Sequence, residues 1–178
     1  AKLLHLGYGL LLAALVYRLS RRFQSRAAPQ WSLLLMAGTP MVAVLAAWAY
    51  NDLTLAYYQL ATLYALLAWR ESESDRWLRV AGLLCGLALG VKYTAFPLPL
   101  VGLVYIAWRS RRPLRAGIVF GWSASSAALP WYLRNWAHYG NPVYPFLFSG
   151  RNWDPFRAAW YAHAGTGIGW KPLQILAL

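Results

Sequence analysis

Asp52 and Lys92 are the residues of this sequence whose surroundings ask for a chemical reason. Asp52 follows Asn51 at the junction of two apolar runs, Trp31–Tyr50 and Leu53–Trp69, and Lys92 interrupts a third, Trp77–Trp108. An ionised side chain set among apolar segments is costly unless it has a partner or a task. A carboxylate at Asp52 can bind an acceptor or take its proton. It can equally cap the helix that starts at Leu53, because Asn-Asp before an apolar run is a good start signal. Lys92 is a compact point charge suited to a phosphate or pyrophosphate, with the Thr94 hydroxyl close by in sequence. Snorkelling to a membrane interface is its other reading. Arg134 lies in the aromatic stretch from Trp131 to Phe148 and offers a contact to an anionic head group.

Other chemistries lack their residues. His5, His138 and His163 show no metal-ligand spacing, and the single Cys85 forms neither an internal disulfide nor a Cys-based zinc site. These residues point to no metal site, no tightly bound cofactor is expected, and whether a metal is needed is left open by the sequence. The sequence contains no phosphate-binding glycine loop, no dinucleotide fingerprint, no zinc-protease helix motif and no nucleophile elbow. Gly82, Gly86 and Gly90, spaced by four, read as a close helix-packing face rather than a site.

The elements that must position these residues follow from composition. In 178 residues, 60% are hydrophobic and only 12% charged, with mean hydropathy +0.37. Soluble domains average about 25% charged, so a soluble globule and a disordered chain are both excluded. Aromatics reach 16%, with 11 Trp, as suits a chain crossing membrane interfaces repeatedly. The net charge of +12 comes in short clusters between apolar runs. That placement fits membrane insertion, and no nucleic-acid partner is expected.

The expected fold is all-α: a polytopic transmembrane helix bundle forming part of one domain over 1–178. Six spans are expected at about 3–19, 31–50, 53–69, 77–91, 94–108 and 116–130. Pro40 should kink the second. A long outer loop, 131–171, should carry an interfacial helix broken at Gly140-Asn-Pro142, and a further span should begin over 172–178. The stretch Trp77–Trp108 would measure about 48 Å as one straight helix. A single span there would also put Lys92 near mid-bilayer, at roughly 2.5–3.5 kcal/mol. A hairpin with Lys92 at its outer tip is therefore expected. The dense Arg109–Arg115 cluster and the loops around Arg22 and Ser74 then face the cytoplasm, and Lys92 and Gly150 face outward.

Tyr50-Asn-Asp-Leu53, the short basic loop that follows, and Ala81-Gly-Leu-Leu-Cys-Gly-Leu-Ala-Leu-Gly-Val-Lys-Tyr93 resemble the GT-C glycosyltransferases. The likeness is to the bacterial branch related to protein mannosyltransferases and the lipid A aminoarabinose transferase. Lys2-Leu-Leu-His-Leu6, Thr39-Pro40 and Pro130-Trp-Tyr-Leu-Arg-Asn135 with Gly140-Asn-Pro-Val-Tyr-Pro145 fit the same group. The resemblance implies an inverting transfer of a sugar from a polyprenyl-phosphate carrier to a glycan, lipid or protein acceptor. It implies a multi-pass protein of the bacterial plasma (inner) membrane, in contact with membrane lipids, active on the periplasmic or exterior side. Asp52 would be a supporting acid, with the principal acid in an outer loop upstream of Ala1. Lys92 and Arg134 would bind the donor phosphate, with Asn51, Tyr93 and His5 as accessory residues. A polytopic transporter or lipid flippase and a non-catalytic membrane subunit are the alternatives. Internal halves with broken helices at matching positions would mark a transporter, and no duplication is visible in the sequence.

Overall fold

A computed structural model of the protein describes residues 2–22, 26–48, 50–144 and 156. The described residues are helical, without strands. The chain divides into two units, 1–128 and 129–178.

The first unit holds α1 (Lys2–Ser20), α2 (Ala28–Ala37), α3 (Pro40–Ala47), α4 (Asp52–Ser72), α5 (Asp75–Val91) and α6 (Pro97–Arg109), together with the start of α7 (Pro113–Tyr139). A 3-10 turn, Tyr93–Ala95, joins α5 to α6. Where helices start and stop follows from local chemistry. Pro29, Pro40, Pro97 and Pro113 sit in first turns, where the missing N–H is no loss. Ser74 opens α5, its hydroxyl accepting from the Arg76 amide at 3.3 Å. Glu73 closes α4 in the left-handed region, φ 50. That conformation lets the chain reverse with only Glu73 and Ser74 between the two helices.

Contacts along the helices fix their directions. Tyr8 of α1 lies beside Tyr57 and Tyr58 of α4, with ring centroids 5.7 Å apart in both pairs. Arg22, just past the end of α1, meets Glu71 at 2.7 Å and covers the Tyr64 ring at 4.5 Å. So α1 and α4 run the same way. Tyr105, late in α6, packs edge-on against Trp69, late in α4. The chain therefore reverses at Glu73–Ser74, again around Lys92–Phe96, and again between α6 and α7. One end of the unit gathers Asp52 and Lys92, and the other gathers Arg22, Glu71, Asp75 and Arg109–Arg115.

Small residues bring α5 and α7 together. Leu78, Ala81, Cys85 and Ala88 on α5 are buried with Ala116, Phe120 and Ala124 on α7. A Cβ on Gly82 would lie 2.7 Å from Ser123 Cβ, and one on Gly86 would lie 2.8 Å from Ala127 Cβ. Gly102 on α6 admits the Phe120 ring, whose Cζ would lie 2.7 Å from an added Cβ. Gly90 faces open space, so the expected packing face involves Gly82 and Gly86 but not the third glycine. Outward faces remain apolar: Val104, Ile118 and Trp122 are each at least 70% exposed. Apolar surface on that scale calls for lipid or protein around it.

Six spans do not follow from these helices. Among the described residues, α1 is long and apolar enough to cross a membrane, and α2 with α3 forms a second candidate bent by 65°. The bend lies at Gly38–Thr39, where Thr39 Oγ donates to the Leu35 carbonyl at 2.8 Å and Pro40 starts α3. A kink at Pro40 was expected, and the break is larger than a kink. With 17 and 13 residues, α5 and α6 are shorter than about 20 residues. Gln59 and three tyrosines dilute α4, as serines and Arg115 dilute α7.

In the second unit α7 continues through Pro130 to Tyr139, where a span end and the start of a separate interfacial helix were expected. Gly140, φ +70, ends the helix as anticipated, and the Asn141 side chain accepts from the Val143 amide at 3.0 Å. Tyr139 and Tyr144 stack with centroids 4.1 Å apart. The rest of the expected outer loop, apart from Phe156, lies outside the described residues. So do Gly150, Arg151, Arg157, His163, Lys171 and the span expected at 172–178.

Candidate functional site

Asp52 is the first residue of α4, and Lys92 follows the last residue of α5. Because α4 and α5 are antiparallel neighbours, residues forty apart in sequence arrive side by side. Lys92 Nζ donates to Asp52 Oδ1 at 2.7 Å. The lysine side chain is 41% exposed and the aspartate 35%. The pair is thus open to a ligand from outside the unit.

Asn51 strengthens this junction. Its side-chain amide donates to the Val91 carbonyl at 3.1 Å, an orphan acceptor at the end of α5. The Asn51-Asp52 pair does mark the start of α4, but Asp52 is not its cap. Asn51 occupies the cap position, but its side chain makes no capping bond to its own helix. Asp52 instead places a negative charge in the first turn, where the helix dipole favours it. Lys92 does not extend away in the snorkelling manner, since its ammonium turns back onto Asp52. Its backbone is extended, φ −158 and ψ 139, which ends α5 and turns the chain into Tyr93–Ala95. Tyr93, the next residue after Lys92, stacks on Phe96 with centroids 6.2 Å apart. Trp48 and Tyr50 stack at 5.9 Å just before Asn51.

His5 lies on α1 one turn before Gly9, whose added Cβ would touch Leu53 at 3.5 Å. His5 is therefore toward the same end as Asp52. Its Nδ1 is buried without a hydrogen-bond partner. Arg134 belongs to the second unit, where its guanidinium covers the Trp131 ring at 5.5 Å. The structure thus bonds Lys92 to Asp52, ties Asn51 to the Val91 backbone just before Lys92, and leaves Arg134 in the other unit. Among the described residues no group of three His, Cys, Asp or Glu could hold a metal ion.

One feature near this end was not anticipated. Tyr8 and Tyr58 share a hydroxyl hydrogen bond at 2.8 Å. With Tyr57, Leu3, Leu11 and Leu84 they line a cavity of about 410 Å³ between α1, α4 and α5. Its mostly apolar wall suits hydrocarbon more than sugar. The Tyr57-Tyr58 doublet was visible in the sequence, but only the α1–α4 pairing gives it a partner.

Residues 3–133 match the family described as dolichyl-phosphate-mannose-protein mannosyltransferase. The matched stretch contains Asp52 and Lys92 and ends just before Arg134. No curated protein and no solved structure matches.

Proposed function

Since the chain belongs to the dolichyl-phosphate-mannose-protein mannosyltransferase family, and is thereby a membrane glycosyltransferase of the GT-C type, we propose that it transfers a sugar from a polyprenyl-phosphate carrier to an acceptor at the end bearing Asp52 and Lys92. The observation that carries this reading is the 2.7 Å Asp52–Lys92 contact, partly exposed, at the end away from the arginine clusters. Positive-inside placement of those clusters supports an outer, periplasmic or exterior, position for the pair at the plasma membrane.

In the proposed reaction an acceptor hydroxyl or amine loses its proton to a carboxylate and attacks the sugar C1. The C1–O bond to the lipid phosphate breaks with inversion, and the phosphate leaves as an anion. Such a leaving group is already weakly basic, so it needs charge stabilisation more than protonation. Lys92 supplies that charge. Asp52 holds Lys92 in place before the donor arrives, then orients the acceptor or shares the base role. Asn51, Tyr93 and His5 serve as accessory groups around it. The acceptor is a glycan, lipid or protein.

The test is donor binding by variants at Lys92. Lys92→Ala should raise the KM for a polyprenyl-phosphate sugar about tenfold or more, as for loss of a charge-assisted contact. Membrane insertion should be unchanged, because the residue is near the surface. Lys92→Arg should recover part of the loss, keeping charge but changing geometry. An unaltered KM in the Ala variant would leave Lys92 as only a tie between α4 and α5.

A further inference from the structure

At the end opposite Asp52–Lys92, Arg70, Arg109, Arg111, Arg112 and Arg115 line a single cavity of about 370 Å³. They come from the end of α4, the end of α6, the loop that follows and the start of α7. We propose that this cavity is a binding site for a phosphate-bearing anion of lipid head-group size.

Arginines that serve only to orient a membrane protein need to be in a loop and no more. Here they converge on one hollow. Glu73 and Asp75 are the acids in its wall, so the lining carries five positive charges against two negative ones. Asp75 already engages Arg115 at 2.6 Å. Like charges crowded in one concavity repel one another, and a multivalent anion relieves that repulsion. Guanidinium forks match phosphate oxygens in pairs. Trp69, only 7% exposed, and Ala116 add apolar surface to a lining that is mostly polar. A volume of this size lies at the low end of small-molecule sites and exceeds what a bare phosphate requires.

Basic pockets between the cytoplasmic ends of membrane helices are suited to anionic lipid heads, which that leaflet supplies. A soluble pyrophosphate group offers the same chemistry from water. The inference uses the membrane setting of the chain but not the transfer reaction proposed above. Loss of one would therefore leave the other standing.

The intact protein in detergent would be titrated with phosphatidylglycerol, phosphatidylcholine and inorganic pyrophosphate, with bound ligand read by native mass spectrometry. Phosphatidylglycerol should be retained over phosphatidylcholine, and Arg109→Gln combined with Arg112→Gln should weaken it roughly tenfold or more. Asp75→Asn removes a competing acid from the wall and should strengthen binding, which keeps the test decisive if the double variant misfolds. Pyrophosphate binding with the same sensitivity, without lipid preference, would assign the site to a soluble anion. Equal retention of both lipids with no pyrophosphate binding, or affinities unmoved by either variant, would overturn the site.

Discussion

Asp52→Asn will cost the intact enzyme most of its turnover, by roughly a hundredfold or more if the carboxylate shares the base role, while the protein remains folded. The substitution keeps size and hydrogen-bonding shape and deletes only the charge. Stability should change little, because an ion pair this exposed contributes about 0.2–1 kcal/mol. Asn51 would still bind the Val91 carbonyl and hold α4 to α5. Turnover with a polyprenyl-phosphate sugar, measured beside a thermal melt in detergent, separates the two effects. Wild-type turnover with Asn at 52 would reduce Asp52 to a structural partner of Lys92. A matching loss of melting temperature and turnover would show that the pair acts through folding.

Gly86→Val should be the most damaging single change to stability. The position has no room for a side chain, because an added Cβ would press on the Ala124 carbonyl oxygen and on Ala127 Cβ. The carbonyl belongs to helical backbone and cannot swing aside. Overpacking typically costs about 1–3 kcal/mol and can exceed that where backbone must move. Gly82→Val meets the Phe120 carbonyl and Ser123 in the same way. Gly90→Ala is the internal control. Nothing faces that position, and Ala is the better helix former by about 1 kcal/mol. Melting curves should therefore fall for the first two variants and hold or rise for the third. A Gly86→Val protein that melts with the wild type would contradict the α5–α7 contact.

The sequence made the class and the special residues readable because both rest on contrast. A charge at 52 or 92 stands out against apolar neighbours, and arginines at 109–115 stand out between helices. The reversal around Lys92 was readable for the same reason, together with the excess length of Trp77–Trp108. The Asp52–Lys92 bond was not, since it depends on which helices are neighbours. Two residues forty apart carry no local sign that they will meet. Asp52 was read as the cap of its helix, whereas Asn51 holds that position and its amide donates to the Val91 carbonyl, a contact that only the neighbouring helix end makes available. Gly90 looked equivalent to Gly82 and Gly86 by spacing, but α7 reaches only the latter two. A span was expected to end at 130, but α7 runs on through Pro130 to Tyr139.

The bend at Gly38–Thr39 has a consequence for the surrounding lipid. A straight helix over 28–47 would measure about 30 Å, which equals the hydrocarbon thickness of a typical bilayer. Folded by 65°, the same chain reaches only roughly 25 Å. Set across a membrane it is a short rod in a thick slab, and hydrophobic mismatch is relieved by drawing the leaflets together at a fraction of a kcal/mol per Å. The end of α3 leads within a few residues to Trp48, Tyr50 and Asp52. Where such a rod crosses a bilayer, thinning at its ends would bring lipid phosphates nearer the chain that leads into Asp52.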